Sequence, residues 1–199
     1  FPRARLKAVD VGIPLHLDGA RIWESAPYLQ HSPAEIAALA DSVYVSFYKG
    51  LGGLAGAAVA GPVEQVAQAR LWRTRMGGTL FTRRPYAVAA LRGLERELPR
   101  MAEYHERAVA LAERLEAHGI RVSPSPPQST AFRIHVERDV DDVNERRVVA
   151  MEREHLALTP RWAASDVPGW SWTELGVGPA TMTWDVDEAA DTLVRVFGR

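Results

Sequence analysis

Cysteine is absent from the 199-residue sequence, which removes disulfides, thiolate metal ligands and thiolate nucleophiles from consideration. No apolar run is long enough to span a bilayer. The opening FPRARLKAVD has neither the apolar stretch nor the small-residue cleavage site of a secretory leader, so a cytoplasmic protein is expected. An initiator methionine is also missing, as expected of a processed or truncated chain. Neither sign of charge dominates: 24 Lys and Arg face 25 Asp and Glu, a net charge of −1. That balance offers no electrostatic footprint for nucleic acid or an anionic membrane. No two of the six histidines stand at metal-ligand spacing, so no metal site is expected. What remains is ordinary globular material, 47% hydrophobic and 25% charged, long enough for one core or a core with a small satellite domain.

Periodicity and punctuation place the elements. Residues 4–10 read as a helix tail, and Gly12 and Pro14 mark its exit before a short strand, Ile13–Leu17. Ser32-Pro33-Ala34-Glu35 has a helix start written into it, with Ser at the N-cap, Pro at the first position and Glu completing a capping box. Ser42–Phe47 is rich in β-branched and aromatic residues and reads as a buried strand. Lys49 and the glycine-rich stretch Gly50–Gly56 follow, then a strand at Ala57–Ala60. Helical patterns cover Val63–Arg75 and residues 83–118, with Gly119 as terminator. Ser123–Gln128 (SPSPPQ) is the expected boundary loop, because prolines cannot continue a helix or a central strand. Beyond it come a strand at Ala131–Val136, a charged helix at Val140–Glu154, a Trp-bearing strand at Trp170–Val177 and a helix at Asp185–Phe197. The order implies an α/β protein with a smaller C-terminal domain.

Asp18 and Lys49 each lie just past the C-terminal end of an apolar strand, with a short helix between those strands, as in a parallel crossover. In an open parallel sheet the carboxyl ends of the strands form the ligand edge. The two residues should therefore share a crevice despite their separation. A pyridoxal 5'-phosphate (PLP) site needs that layout: a lysine amine forms a Schiff base to the aldehyde, and a carboxylate keeps the pyridine nitrogen protonated. Taken alone, Asp18 reads as the N-cap of a helix starting at Gly19, and Lys49 as a solvated loop lysine. Gly50–Ala55 (GLGGLA) also fits a dinucleotide fingerprint, but Pro62 spoils the helix and no acidic residue stands about twenty positions on. His16, between Leu15 and Leu17, is expected to be packed, and the six tryptophans to be mostly core. The charge run Glu137–Arg147 is read as a solvated helix face.

The blocks HLDGARIWESAPYL and SPAEIAALADSVYVSFYKGLGGLAGAAVAGP resemble the threonine aldolase/β-eliminating lyase family of fold-type I PLP enzymes. LDGAR, ADSV and KGLG occur there in this order and at about this spacing, and ARLWRTRMGG (Ala69–Gly78) is similar to a further family segment. The resemblance implies Lys49 as the Schiff-base lysine and Asp18 as the partner of the pyridine nitrogen. Arg21 would bind the substrate carboxylate or the cofactor's phenolic oxygen, a guanidinium being always charged and bidentate. Ser46 would reach the cofactor. Arg73 and Arg75 would approach the phosphate of a neighbouring subunit, since sites in the family are built at dimer interfaces, and a homodimer or homotetramer is implied.

The departures shape the remaining expectations. The family's glycine-rich phosphate cradle and ring-stacking histidine precede LDGAR, whereas 17 residues precede Asp18 in this sequence. The expected architecture is thus the C-terminal part of a fold-type I PLP-dependent transferase-like chain. It would comprise an incomplete large-domain sheet over 1–98, a connecting helix over 99–119 and a small C-terminal α+β domain over 120–199. Val177–Ala189 contains no arginine where the family places a carboxylate ligand; Arg161 and Arg133 are the substitutes considered. The implied function is cleavage of the Cα–Cβ bond of a β-hydroxy amino acid (threonine or allo-threonine) to glycine and an aldehyde. β-Elimination and transamination would use the same Lys49 and Asp18. A non-catalytic remnant serving as a binding or oligomerisation module is the alternative of another class.

Overall fold

The computed structural model describes residues 10–198. The chain divides into two compact units, with the division between Met101 and Ala102. The expected helix tail at residues 4–10 lies, apart from Asp10, outside the described residues.

The first unit is built on a three-stranded sheet of β1 (His16–Asp18), β2 (Ser42–Ser46) and β3 (Ala57–Ala60), in that order. β1 runs parallel to β2, with Asp18 opposite Tyr44, and β3 returns antiparallel to β2. The crossover between β1 and β2 holds two short helices instead of one, α1 (Ile22–Leu29) and α2 (Pro33–Ala37). Gln30, in the left-handed region at φ 57°, ends α1. The Ser32–Glu35 capping box starts α2, each side chain meeting the other residue's backbone N–H. After β3 come α3 (Val63–Arg75) and α4 (Arg84–Arg96). Pro99 divides the long helical pattern of residues 83–118, so α4 gives way to a 3-10 turn at Leu98–Arg100 before α5 (Met101–Ala117). None of the α3 residues is buried, and Trp72, Met76, Leu80 and Phe81 all present apolar surface to solvent.

The second unit holds an antiparallel sheet of β4 (Arg121–Ser123), β5 (Ala131–Val136), β7 (Ser171–Gly176) and β6 (Ala163–Ala164), in the order β4-β5-β7-β6. Alternation along β5 sends Phe132, Ile134 and Val136 into the core, each burial worth about 1.5–3 kcal/mol. Leu111, Ala112 and Leu115 of α5 are buried at helical spacing, as are Ala190, Leu193 and Phe197 of α7 (Val186–Phe197). Gly119, at φ +82°, terminates α5, and Ile120 N–H returns to Leu115 O at 3.0 Å. SPSPPQ does not separate the units: it joins β4 to β5 inside the second. The tryptophan expectation also needs correcting, because only Trp162 is buried, packed on Phe197 at 5.0 Å. Trp170 and Trp172 instead lie under guanidinium groups, of Arg121 at 4.8 Å and Arg133 at 4.1 Å. The charge run enters α6 (Val140–Glu154) from Arg138, which lies before the helix; Asp142 of its first turn pairs with Arg138 and with Arg146.

Candidate active site

The turn after β1 is fixed by backbone contacts. Gly19 N–H donates to Tyr44 O at 2.8 Å, and a Cβ at Gly19 would lie 2.7 Å from that oxygen. The strand can therefore turn here only at glycine. Asp18 is exposed, and its Oδ1 accepts the Ala20 N–H at 3.1 Å. This closes a local turn and caps no helix: α1 starts at Ile22, with Arg21 in the N-cap position.

The loop after β2 is held from several sides. Phe47 N–H donates to Gly56 O at 3.0 Å, Gly53 N–H to Phe47 O at 2.7 Å, and Gly52 N–H to Lys49 O at 2.8 Å. Gly52 takes φ +66°, and a Cβ at Gly53 would collide with Phe47 O. Beneath the loop, Leu51 is buried and its carbonyl lies against Gly93 of α4, where any Cβ would strike it. Lys49 is half-buried on this braced turn.

Hydrogen bonds then tie the two strand ends together. Ser46 is buried, and its hydroxyl donates to Ala20 O at 2.7 Å. Trp23 Nε1 donates to Ser46 O at 2.9 Å. Asp18, Arg21, Ser46 and Lys49 thus gather at the C-terminal edge of the parallel pair. Arg75 lies on the exposed α3, 5.2 Å over the Trp72 ring, and Arg73 is on the same exposed helix. Arg161 belongs to the second unit, exposed just before the buried Trp162. His16 is not packed as expected; it faces outward with Nδ1 2.8 Å from Ser42 Oγ.

Two features of this edge escape sequence reasoning. Glu24 is fully buried, with Oε1 accepting the Gly50 N–H at 2.9 Å and standing 3.4 Å from Arg21 Nη1. Arg21, at the N-cap, pairs with Glu24 in the first turn of α1, and the carboxylate lies inside. Its three-residue spacing from Arg21 signals a pair and says nothing of depth. Tyr44, opposite Asp18, has its hydroxyl 3.3 Å from that of Tyr48, the residue before Lys49. The hydrogen bond with Tyr48, burial, and the nearby Tyr48 and Asp18 push Tyr44 up to about 12. Among the described residues no group of acidic and histidine side chains suits a metal ion, and no helix is long and apolar enough to cross a membrane.

The model of the beta-eliminating lyase family matches residues 3–138. A Schizosaccharomyces pombe protein, provisionally named low-specificity L-threonine aldolase, is 32% identical over 154 residues, covering 74% of this chain and 41% of that protein. A structure from Exiguobacterium sp. 255-15, provisionally named aromatic amino acid beta-eliminating lyase/threonine aldolase, superposes with a TM-score of 0.87 at 38% identity. That match covers 98% of this chain and 56% of that one. One from Listeria monocytogenes EGD-E, provisionally named L-allo-threonine aldolase, gives 0.86 at 34% identity, covering 99% and 55%. The chain belongs to the beta-eliminating lyase family. Its α/β fold is that of part of a fold-type I chain, and it spans about half the length of the proteins it matches.

The family uses PLP, and the donor set at this edge suits that group. An amine, a carboxylate and a guanidinium stand on adjoining turns, and at Gly52 a Cβ would meet only open space.

Proposed function

We propose that this chain carries the lysine-bearing part of the active site of a PLP-dependent, threonine aldolase-like lyase. Its reaction would cleave the Cα–Cβ bond of a β-hydroxy amino acid, threonine or allo-threonine, to glycine and an aldehyde. The supporting observation is the placement of Asp18 and Lys49 at the C-terminal ends of adjacent parallel strands. The relatives named L-threonine aldolases support the substrate class.

When bound, PLP supplies an electron sink for the pair released at the substrate Cα. Lys49 would hold the group covalently through Nζ. Asp18 would pair with the pyridine nitrogen and keep it protonated. Arg21 binds the substrate carboxylate or the phenolic oxygen. Ser46, through Ala20 O, keeps the Asp18 turn registered against the lysine strand. Arg75 contributes to the phosphate of a neighbouring subunit in a homodimer or homotetramer, and Arg161 is a further ligand for the substrate carboxylate. Residues 1–98 form part of the cofactor domain, 99–119 the connecting helix and 120–199 the small domain of a cytoplasmic enzyme.

The test uses the full-length protein with threonine and allo-threonine. Release of glycine and acetaldehyde, abolished in Lys49→Ala and reduced about 10²–10³-fold in Asp18→Ala, is expected. Ammonia with a keto acid would instead indicate elimination, and an amino-group exchange product transamination.

A further inference from the structure

Glu24 is a buried charged group to which the roles above give no task. It is 0% exposed, and a buried carboxylate costs several kcal/mol unless its oxygens are paired. Oε1 is shared between the Gly50 N–H at 2.9 Å and Arg21 Nη1 at 3.4 Å. Oε2 is buried and has no hydrogen-bond partner among the described residues. Gly50 leaves room for this arrangement, since a Cβ there would lie 2.5 Å from Glu24 Cγ. The carboxylate is packed directly on the backbone that follows Lys49, and the same oxygen faces the guanidinium expected to grip the substrate. An apolar or neutral side chain would serve stability better at such a site.

We propose that Glu24 is a positioning residue for both groups. Its oxygen fixes the Lys49–Gly50 backbone, and its charge sets how much of the Arg21 positive charge is offered to the substrate carboxylate. Glu24 touches none of the reacting atoms in this role, which rests on the cofactor and substrate assignments proposed above.

Two variants of the full-length protein separate the parts of the role. Glu24→Gln keeps an oxygen for the Gly50 N–H and removes the charge, whereas Glu24→Ala removes both. Three readouts are needed: PLP trapped on wild-type Lys49 by borohydride, amide exchange at Gly50 in the cofactor-free protein, and KM and kcat with threonine. In Glu24→Gln, Gly50 exchange stays within about threefold of wild type while KM falls at least about threefold and kcat changes less than about twofold. In Glu24→Ala, Gly50 exchange rises at least about tenfold and kcat falls at least about tenfold. Unchanged exchange in Glu24→Ala, or an unchanged or raised KM in Glu24→Gln, overturns the proposal. If Glu24→Ala does not fold, the KM of Glu24→Gln decides alone. A wild-type protein that traps no PLP on Lys49 overturns the underlying functional assignment, and is told apart because it is the wild type that fails.

Discussion

Tyr44 stands beside Asp18 across the parallel strand pair, and its hydroxyl meets that of Tyr48 at 3.3 Å. The hydrogen bond with Tyr48 favours the protonated form of Tyr44, and burial with the nearby Tyr48 and Asp18 adds to this, which is why it is pushed up to about 12. A raised folded value means that the stabilisation is whole below the ordinary tyrosine value of 10.0 and is lost as pH rises through about 12. Tyr48→Phe should therefore bring the Tyr44 midpoint back toward 10 in an ultraviolet titration, and an unmoved midpoint would remove the hydrogen bond as cause. The placement of Asp18 and Lys49 at the ends of adjacent parallel strands was legible in the sequence, because apolar strands and the turns after them mark both positions. Glu24 was not, since helical spacing reports which residues neighbour each other and not which side a surrounding loop covers. The Tyr44–Tyr48 contact was equally hidden: it depends on β2 ending at Ser46, so that the chain bends before Lys49.

Among the elements, α2 and α4 show opposite relations between sequence and structure. The Ser32–Glu35 box was readable because capping chemistry is local, and Ser32→Ala should lower stability by about 1 kcal/mol in a denaturant titration. Gly93 looks like a mere weakness inside a helix by propensity, yet it is where α4 meets the Leu51 carbonyl of the lysine loop. Gly93→Ala should cost about 1–3 kcal/mol by overpacking and weaken PLP binding by displacing that loop. Full PLP affinity in this variant, measured by equilibrium dialysis, would show that the loop does not depend on the contact. The second unit adds a pH dependence of its own. Burial opposes ionisation of Asp142, but the hydrogen bonds and charges of Arg146 and Arg138 outweigh it and hold the carboxyl below its usual 3.8. That contribution is present above 3.8 and lost as pH falls through the lowered value.

At the scale of the whole molecule, the parallel pair, the crossover and the later αβ unit were all legible from period and punctuation. The expected boundary at SPSPPQ was not correct, because proline-rich loops also join neighbouring strands within one sheet. α3 and the segment after it turn Trp72, Met76, Leu80 and Phe81 toward solvent, and exposed apolar side chains of this kind favour association. Expressed by itself, the 1–199 segment should associate or bind PLP poorly in light scattering and dialysis; a soluble monomer with tight PLP binding would contradict this. A PLP enzyme of the proposed kind forms a covalent bond at one residue. Borohydride reduction of the full-length protein with PLP, followed by peptide mapping, should place the reduced cofactor on Lys49 and nowhere in Lys49→Ala. Cofactor fixed on another lysine, or on none, would contradict the account.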